Sequence, residues 1–240
     1  MKKESVKTIW IVTWYAIAMG LLEAAVVVYL RYLYYPAGFD FPLRGFIDPA
    51  VLGVEWAREF ATIVMLVAVG MLAGRGKSWF TKFAYFIFAF GVWDIFYYVF
   101  LKVFLGWPAS LLTMDLLFMI PWLWVGPVLA PVLCSIVMIG VALFLIDKED
   151  KGKKMRLGVL DVVLVLLGII VILYTWLIDY WKVIFEGGFG KEFFTLGTNA
   201  EFSAVVAEYV PMSYNWLGFF VGFVISVVGL WVFCRRTMKK

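Results

Sequence analysis

Six long apolar runs dominate the chain, at about 8–34, 49–73, 79–104, 125–146, 158–181 and 214–234, with shorter polar segments between them. A helix of about 20 apolar residues crosses a ~30 Å hydrocarbon core. These runs are continuous rather than alternating, which argues against a membrane β-barrel. The pattern predicts an all-α integral membrane protein, a six-transmembrane-helix bundle forming one domain over residues 1–240.

Two stretches depart from the simple pattern. Residues 111–146 would make a straight helix of ~54 Å, but Pro121, Gly126, Pro127 and Pro131 interrupt them. Proline removes a backbone donor and breaks helices. We therefore expect a short broken or re-entrant helix at about 109–120, then span 4. Between spans 5 and 6, Phe202, Val205, Val206 and Tyr209 follow i, i+3, i+4, i+7 spacing, with Glu201 and Glu208 off that stripe. This predicts an amphipathic helix lying on the outer surface, with Asn199 as its cap.

The polar positions inside the spans carry the chemistry. "EWAREF" (residues 55–60) lies near the start of span 2, after an Asp48-Pro49 pair suited to open a helix. Glu59 is then ~15 Å along the helix from Pro49, too deep for a headgroup residue. At 100° per residue, Glu55, Arg58, Glu59 and Thr62 share one face, which Leu66, Val69, Gly70 and Ala73 continue. Span 1 carries Glu23 on the face of Ala16 and Gly20, with Arg31 further along. Span 3 places Gly91, Asp94, Tyr98 and Lys102 in one row, and Asp115 follows on the broken segment.

A charge at mid-membrane costs about 2.5–3.5 kcal/mol on insertion scales and faces the bundle interior or water. These residues therefore predict one polar pocket between spans 1, 2 and 3 and the broken segment. Its ligand-binding candidates are Glu23, Arg31, Glu55, Arg58, Glu59, Asp94, Tyr98, Lys102 and Asp115, with Trp93 and Tyr97 beside them. The competing reading is structural: ion pairs that only fix helix packing. Asp161 and Asp179, near the ends of span 5, are ordinary. Gly70-x-x-x-Gly74 and Gly218-x-x-x-Gly222, continued by Ser226, are read as helix-packing motifs.

Charge distribution adds a direction. Of 21 Lys and Arg, 15 fall in segments 1–7, 74–82, 147–157 and 235–240. The positive-inside pattern puts these segments and both termini in the cytoplasm of a plasma-membrane protein, and the pocket toward the outer face. Trp10, Trp14, Trp79 and Trp231 then mark the inner interface, and Trp107, Trp122, Trp124, Trp181 and Trp216 the outer one. Composition agrees, at 65% hydrophobic residues and a mean hydropathy of +0.96.

The chain has no His. That excludes His-ligated heme, His-based acid–base catalysis and His zinc sites. Cys134 and Cys234 are read as packing residues. No P-loop or carbonyl ion filter is present, no cofactor is evident, and no nucleic-acid partner is expected. Three functional readings follow. The first is binding or transport of a small polar or zwitterionic solute or a cation. A hard divalent cation would take Glu23, Glu59 and Asp94 as oxygen ligands. The second is an intramembrane enzyme on a lipid or lipid-linked substrate. There Asp94 and Asp115 are the catalytic acid–base pair, and Arg58 or Lys102 holds a phosphate headgroup. The third is a subunit whose charges pair with a membrane-protein partner.

Overall fold

A computed structural model describes residues 1–35, 38–39, 41, 49–120, 123–192, 200–211 and 213–238. Among these residues six helices are long and apolar enough to cross a bilayer: α1 (Lys3–Tyr34), α2 (Pro49–Ala73), α3 (Trp79–Leu105), α4 (Leu129–Asp150), α5 (Val159–Glu186) and α7 (Trp216–Met238). The protein is a multi-pass membrane protein. The short α6 (Ala200–Ala207) lies between α5 and α7. It packs Phe202 against Ile184 and Phe189 while Glu201 stays exposed. Asp48, Asn199 and Trp122 lie outside the described residues.

The segment before α4 corrects the sequence reading. It is an antiparallel hairpin, β1 (Met114–Phe118) with β2 (Trp124–Pro127), rather than a helix over 109–120. Asp115 pairs with Gly126 and Leu116 with Val125, and a register shift follows before Phe118 pairs with Trp124. A short apolar run does not distinguish strand from buried helix by period. The prolines tip the balance, because Pro127 has no N–H for a helix and stands at the strand end. Non-helical backbone survives at membrane depth only where protein satisfies it. Here the strands pair with each other, and Val128 N–H continues the pairing to the Thr113 carbonyl at 3.1 Å.

α3 is the hub and packs on α1, α2 and α4; α5 and α7 form a separate tight pair. α3 begins at Ser78, whose hydroxyl accepts from Thr81 N–H, and ends at Gly106 in the left-handed region (φ 66°). α1 buries a stripe at helical spacing: Val12, Ala16, Met19, Gly20, Glu23, Ala24, Val28 and Arg31. That stripe runs from an apolar core, shared with Leu66, Ala84 and Phe88, into charged ground. The end of the bundle holding both termini is laced by polar contacts. The N-terminal ammonium meets Asp147 at 3.0 Å, Ser5 donates to Asp150 at 2.8 Å, and Ser78 Oγ donates to Glu149 at 2.7 Å. Between α5 and α7, Arg236 makes two bonds to Asp161, at 2.6 and 2.8 Å. Trp10, Trp14, Trp79 and Trp231 are exposed at this end, as interfacial tryptophans are.

Candidate functional site

The charged residues of three helices and the hairpin line one cavity of about 100 Å³. It lies toward the end of the bundle away from the termini. Two close backbone approaches build it. At Gly20 a Cβ would stand 3.0 Å from the Trp93 carbonyl oxygen, so α1 rides on α3 and brings Glu23 to the cavity. At Gly91 a Cβ would stand 2.8 Å from the Ser135 carbonyl oxygen, and this approach of α4 lets Ser135 Oγ donate to Asp94 at 2.8 Å.

α2 contributes the face read from its spacing. Glu55, Glu59, Thr62, Leu66 and Gly70 are buried, while Val54, Phe60, Val64 and Met71 are exposed where lipid would lie. Arg58 is the centre of a network. Its Nε and Nη2 donate to Glu55 at 3.0 and 2.8 Å, and its Nη1 pairs with Glu23 on α1. Thr62 Oγ1 donates to the other Glu23 oxygen at 2.6 Å. One guanidinium thus serves two carboxylates from two helices.

Glu59 is held differently. It accepts the Met119 N–H, with its two oxygens at 3.1 and 3.0 Å. The carboxylate therefore satisfies backbone at the end of the hairpin and pins it to α2. Asp115, on β1, is 2% exposed and meets Arg31 at 3.3 Å through one oxygen. Among the described residues its other oxygen has no hydrogen-bond partner of good geometry, and the Tyr98 hydroxyl lies beside it. Arg31 is clasped between aromatic faces, its guanidinium carbon 4.3 Å from the Phe39 ring centre and 3.7 Å from that of Trp107. Among the described residues, Arg31 Nη1 and the Tyr35 hydroxyl are also buried without a partner. Burial pushes the Tyr35 hydroxyl up to about 12, against the opposing pull of Arg31, so it remains a donor at neutral pH.

Of the nine ligand-binding candidates, eight line this cavity: Glu23, Arg31, Glu55, Arg58, Glu59, Asp94, Tyr98 and Asp115. Lys102 does not. It is exposed near the end of α3, and its Nζ donates to the Gly106 and Pro108 carbonyls at 2.8 Å each. It caps a helix and lies outside the pocket. Glu23, Glu59 and Asp94 line the cavity but do not converge as cation ligands. Among the described residues no three His, Cys, Asp or Glu side chains form such a group. Each of the three instead faces a different donor: Arg58 and Thr62, Met119 N–H, and Ser135. Asp94 and Asp115 share the cavity, each engaged with its own partner.

A charge count across the network is informative. Glu23 and Glu55 share Arg58, and Asp115 takes Arg31. Glu59 and Asp94 are left with hydrogen bonds from neutral donors only and, among the described residues, with no cation within ion-pairing distance. Several partners are not conspicuous in the sequence. Ser135 offers one signal, a hydroxyl in an otherwise apolar run. Phe39 and Tyr35 lie in a loop read only as a connection, and Trp107 and Trp124 look like interface anchors. In the fold Trp107 covers Arg31, and Trp124 stacks on Trp176 at 5.8 Å. No protein-family model, curated protein or solved structure matches the chain.

Proposed function

We propose that this is a binding or transport protein for a small, positively charged solute, taken into an intramembrane cavity from the outer face of the plasma membrane. The carrying observation is that Glu59 and Asp94 line this cavity and, among the described residues, neither has a cation within ion-pairing distance, Arg58 being committed to Glu23 and Glu55. A buried carboxylate without countercharge is costly, and a bound cation removes that cost. The size favours a small ligand or head group. A drug-sized molecule needs about 300–1,000 Å³, against about 100 Å³ in this cavity. The basic end of the bundle, read by the positive-inside rule, faces the cytoplasm. The polar contacts at that end and the apolar core above it then close the inner side, consistent with access from outside.

The test is thermal unfolding of the purified chain in lipid nanodiscs. Sodium, potassium or methylammonium chloride is titrated against N-methylglucamine, a cation too bulky for the cavity, at constant ionic strength. At least one probe should stabilise saturably, by ~2.7 kcal/mol at a hundredfold excess over its Kd. Glu59→Gln or Asp94→Asn should weaken that response about tenfold, the equivalent of 1.4 kcal/mol. Identical responses to all four cations, or wild-type responses in both variants, would remove the reading.

A further inference from the structure

A second, larger cavity of about 470 Å³ adjoins the first, and Arg31, Tyr35 and Phe39 line both. The two spaces meet at these residues. Their chemistry differs from one side of the junction to the other. On the inner side are the carboxylates, including the unpartnered Asp115 oxygen, together with Glu59 and Asp94. At the junction are two buried donors that have no acceptor among the described residues, Arg31 Nη1 and the Tyr35 hydroxyl. On the outer side the side chains are mainly aromatic and aliphatic, with Phe104, Leu105 and Trp107, beside Tyr32 and the backbone at Gly38 and Gly106.

Unpaired buried polar groups are uncommon in native structures, and each calls for a partner. A monovalent cation answers the carboxylates and leaves both donors unmet. A simple anion answers the donors and is repelled by the acids. A ligand with an ammonium at one end, a carboxylate beside it and an apolar body answers all three zones in the order in which they occur.

We infer that the two cavities form one site for an amino-acid-like zwitterion with an apolar side chain. Its ammonium points inward into the carboxylate-lined cavity, on the side of Asp94 and Asp115, its carboxylate accepts from Arg31 and Tyr35 at the junction, and its side chain lies in the outer cavity beside Phe104 and Trp107. Guanidinium–carboxylate pairing supplies directional, charge-assisted hydrogen bonds. The aromatic clasp on Arg31 holds the guanidinium ready for it, because an ordered donor loses less freedom when the ligand binds. The outer volume falls within the usual range for small-molecule pockets. This inference rests on the proposed function and adds the ligand's second charge and its orientation.

Three matched probes test it on the full chain in nanodiscs by saturable thermal stabilisation. L-leucine carries both charges, 3-methylbutylamine lacks the carboxylate, and 4-methylpentanoate lacks the ammonium. Leucine should half-saturate at about a tenth of the concentration the amine needs, or less, and the acid should give the weakest response. Tyr35→Phe, which removes only a hydroxyl, should narrow the leucine-over-amine preference, and Arg31→Lys should narrow it further. If the amine equals leucine while still stabilising the protein, the zwitterion inference fails and the cation-binding reading stands. If leucine prevails but neither variant changes the preference, the assigned junction is wrong and the inference is overturned. If none of these probes and none of the simple cations stabilises, both readings fail.

Discussion

Between α1, α2 and α3 the bundle holds Glu23, Glu55, Arg58, Glu59 and Asp94 around a hollow. Between α5 and α7 it packs small residues in close contact, with the Asp161–Arg236 ion pair at one end. A Cβ at Gly222 would stand 2.8 Å from the Gly168 carbonyl oxygen, and Gly168 meets Gly222 and Ser226 in turn. In lipid there is no hydrophobic force to join helices, so close packing and polar contacts must do it. The α5–α7 pair relies mainly on the first, at the level of touching backbones. α1 and α2 are joined by the second, through Glu23, Arg58 and Thr62, beside a cavity. Buried ion pairs are rarely net stabilising compared with well-packed apolar residues, so packing alone does not account for the charged half. This contrast supports reading that half as a site and the other as scaffold.

The largest expected effect comes from removing the shared cation. Arg58→Ala strands Glu23 and Glu55, and breaking a buried pair costs about 3–5 kcal/mol. Denaturant unfolding in detergent would measure it, and a loss below about 1 kcal/mol would mean that water already solvates these carboxylates. In the scaffold half, Gly168→Leu forces a side chain against the α7 backbone. Overpacking typically costs about 1–3 kcal/mol. The half-saturating concentration of any cavity ligand should stay at the wild-type value, and a shift would show that the two halves are coupled.

Ser135→Ala removes the hydroxyl that holds Asp94. A hydrogen bond to a charged group is worth about 1.5–3 kcal/mol, and the loss should fall at the low end because Asp94 keeps contact with the cavity. Unfolding and cation titration of the same sample measure both consequences. The smallest stability effect is expected for the triple replacement Glu23→Leu, Glu55→Leu, Arg58→Met. Exchanging a whole buried network for apolar residues is often neutral or stabilising by about 1–4 kcal/mol. The triple variant should unfold no earlier than wild type and, with Glu59 and Asp94 intact, keep its response to cations. If it costs as much as Arg58→Ala, the charges are part of the scaffold after all.

The face of α2 was legible in the sequence because a helix repeats every 3.6 residues whatever surrounds it. Glu55, Glu59, Thr62, Leu66 and Gly70 are buried in the order their spacing requires. The same arithmetic failed for Lys102. Eleven residues from Gly91 it still falls on the row, but α3 is about to end there. A long flexible side chain at a helix end bonds the last carbonyls, as Lys102 does. The hairpin was illegible for another reason. A five-residue segment with four apolar residues fits a strand or a helix turn equally well, and the choice depended on partners more than 50 residues away, Glu59 for Met119 N–H and Trp176 for Trp124.

The sequence by itself determined six membrane-crossing helices, their approximate limits, the basic end and the charged face of α2. All of these follow from local composition and period, which neighbouring residues carry. Only the tertiary structure decided which acid takes which partner. It gave Arg58 to Glu23 and Glu55, Arg31 to Asp115, and among the described residues left Glu59 and Asp94 without a cation within ion-pairing distance. Pairing depends on distances of a few ångströms between separate helices. Those distances are set by backbone approaches at Gly20 and Gly91, which no periodicity along one helix can reveal.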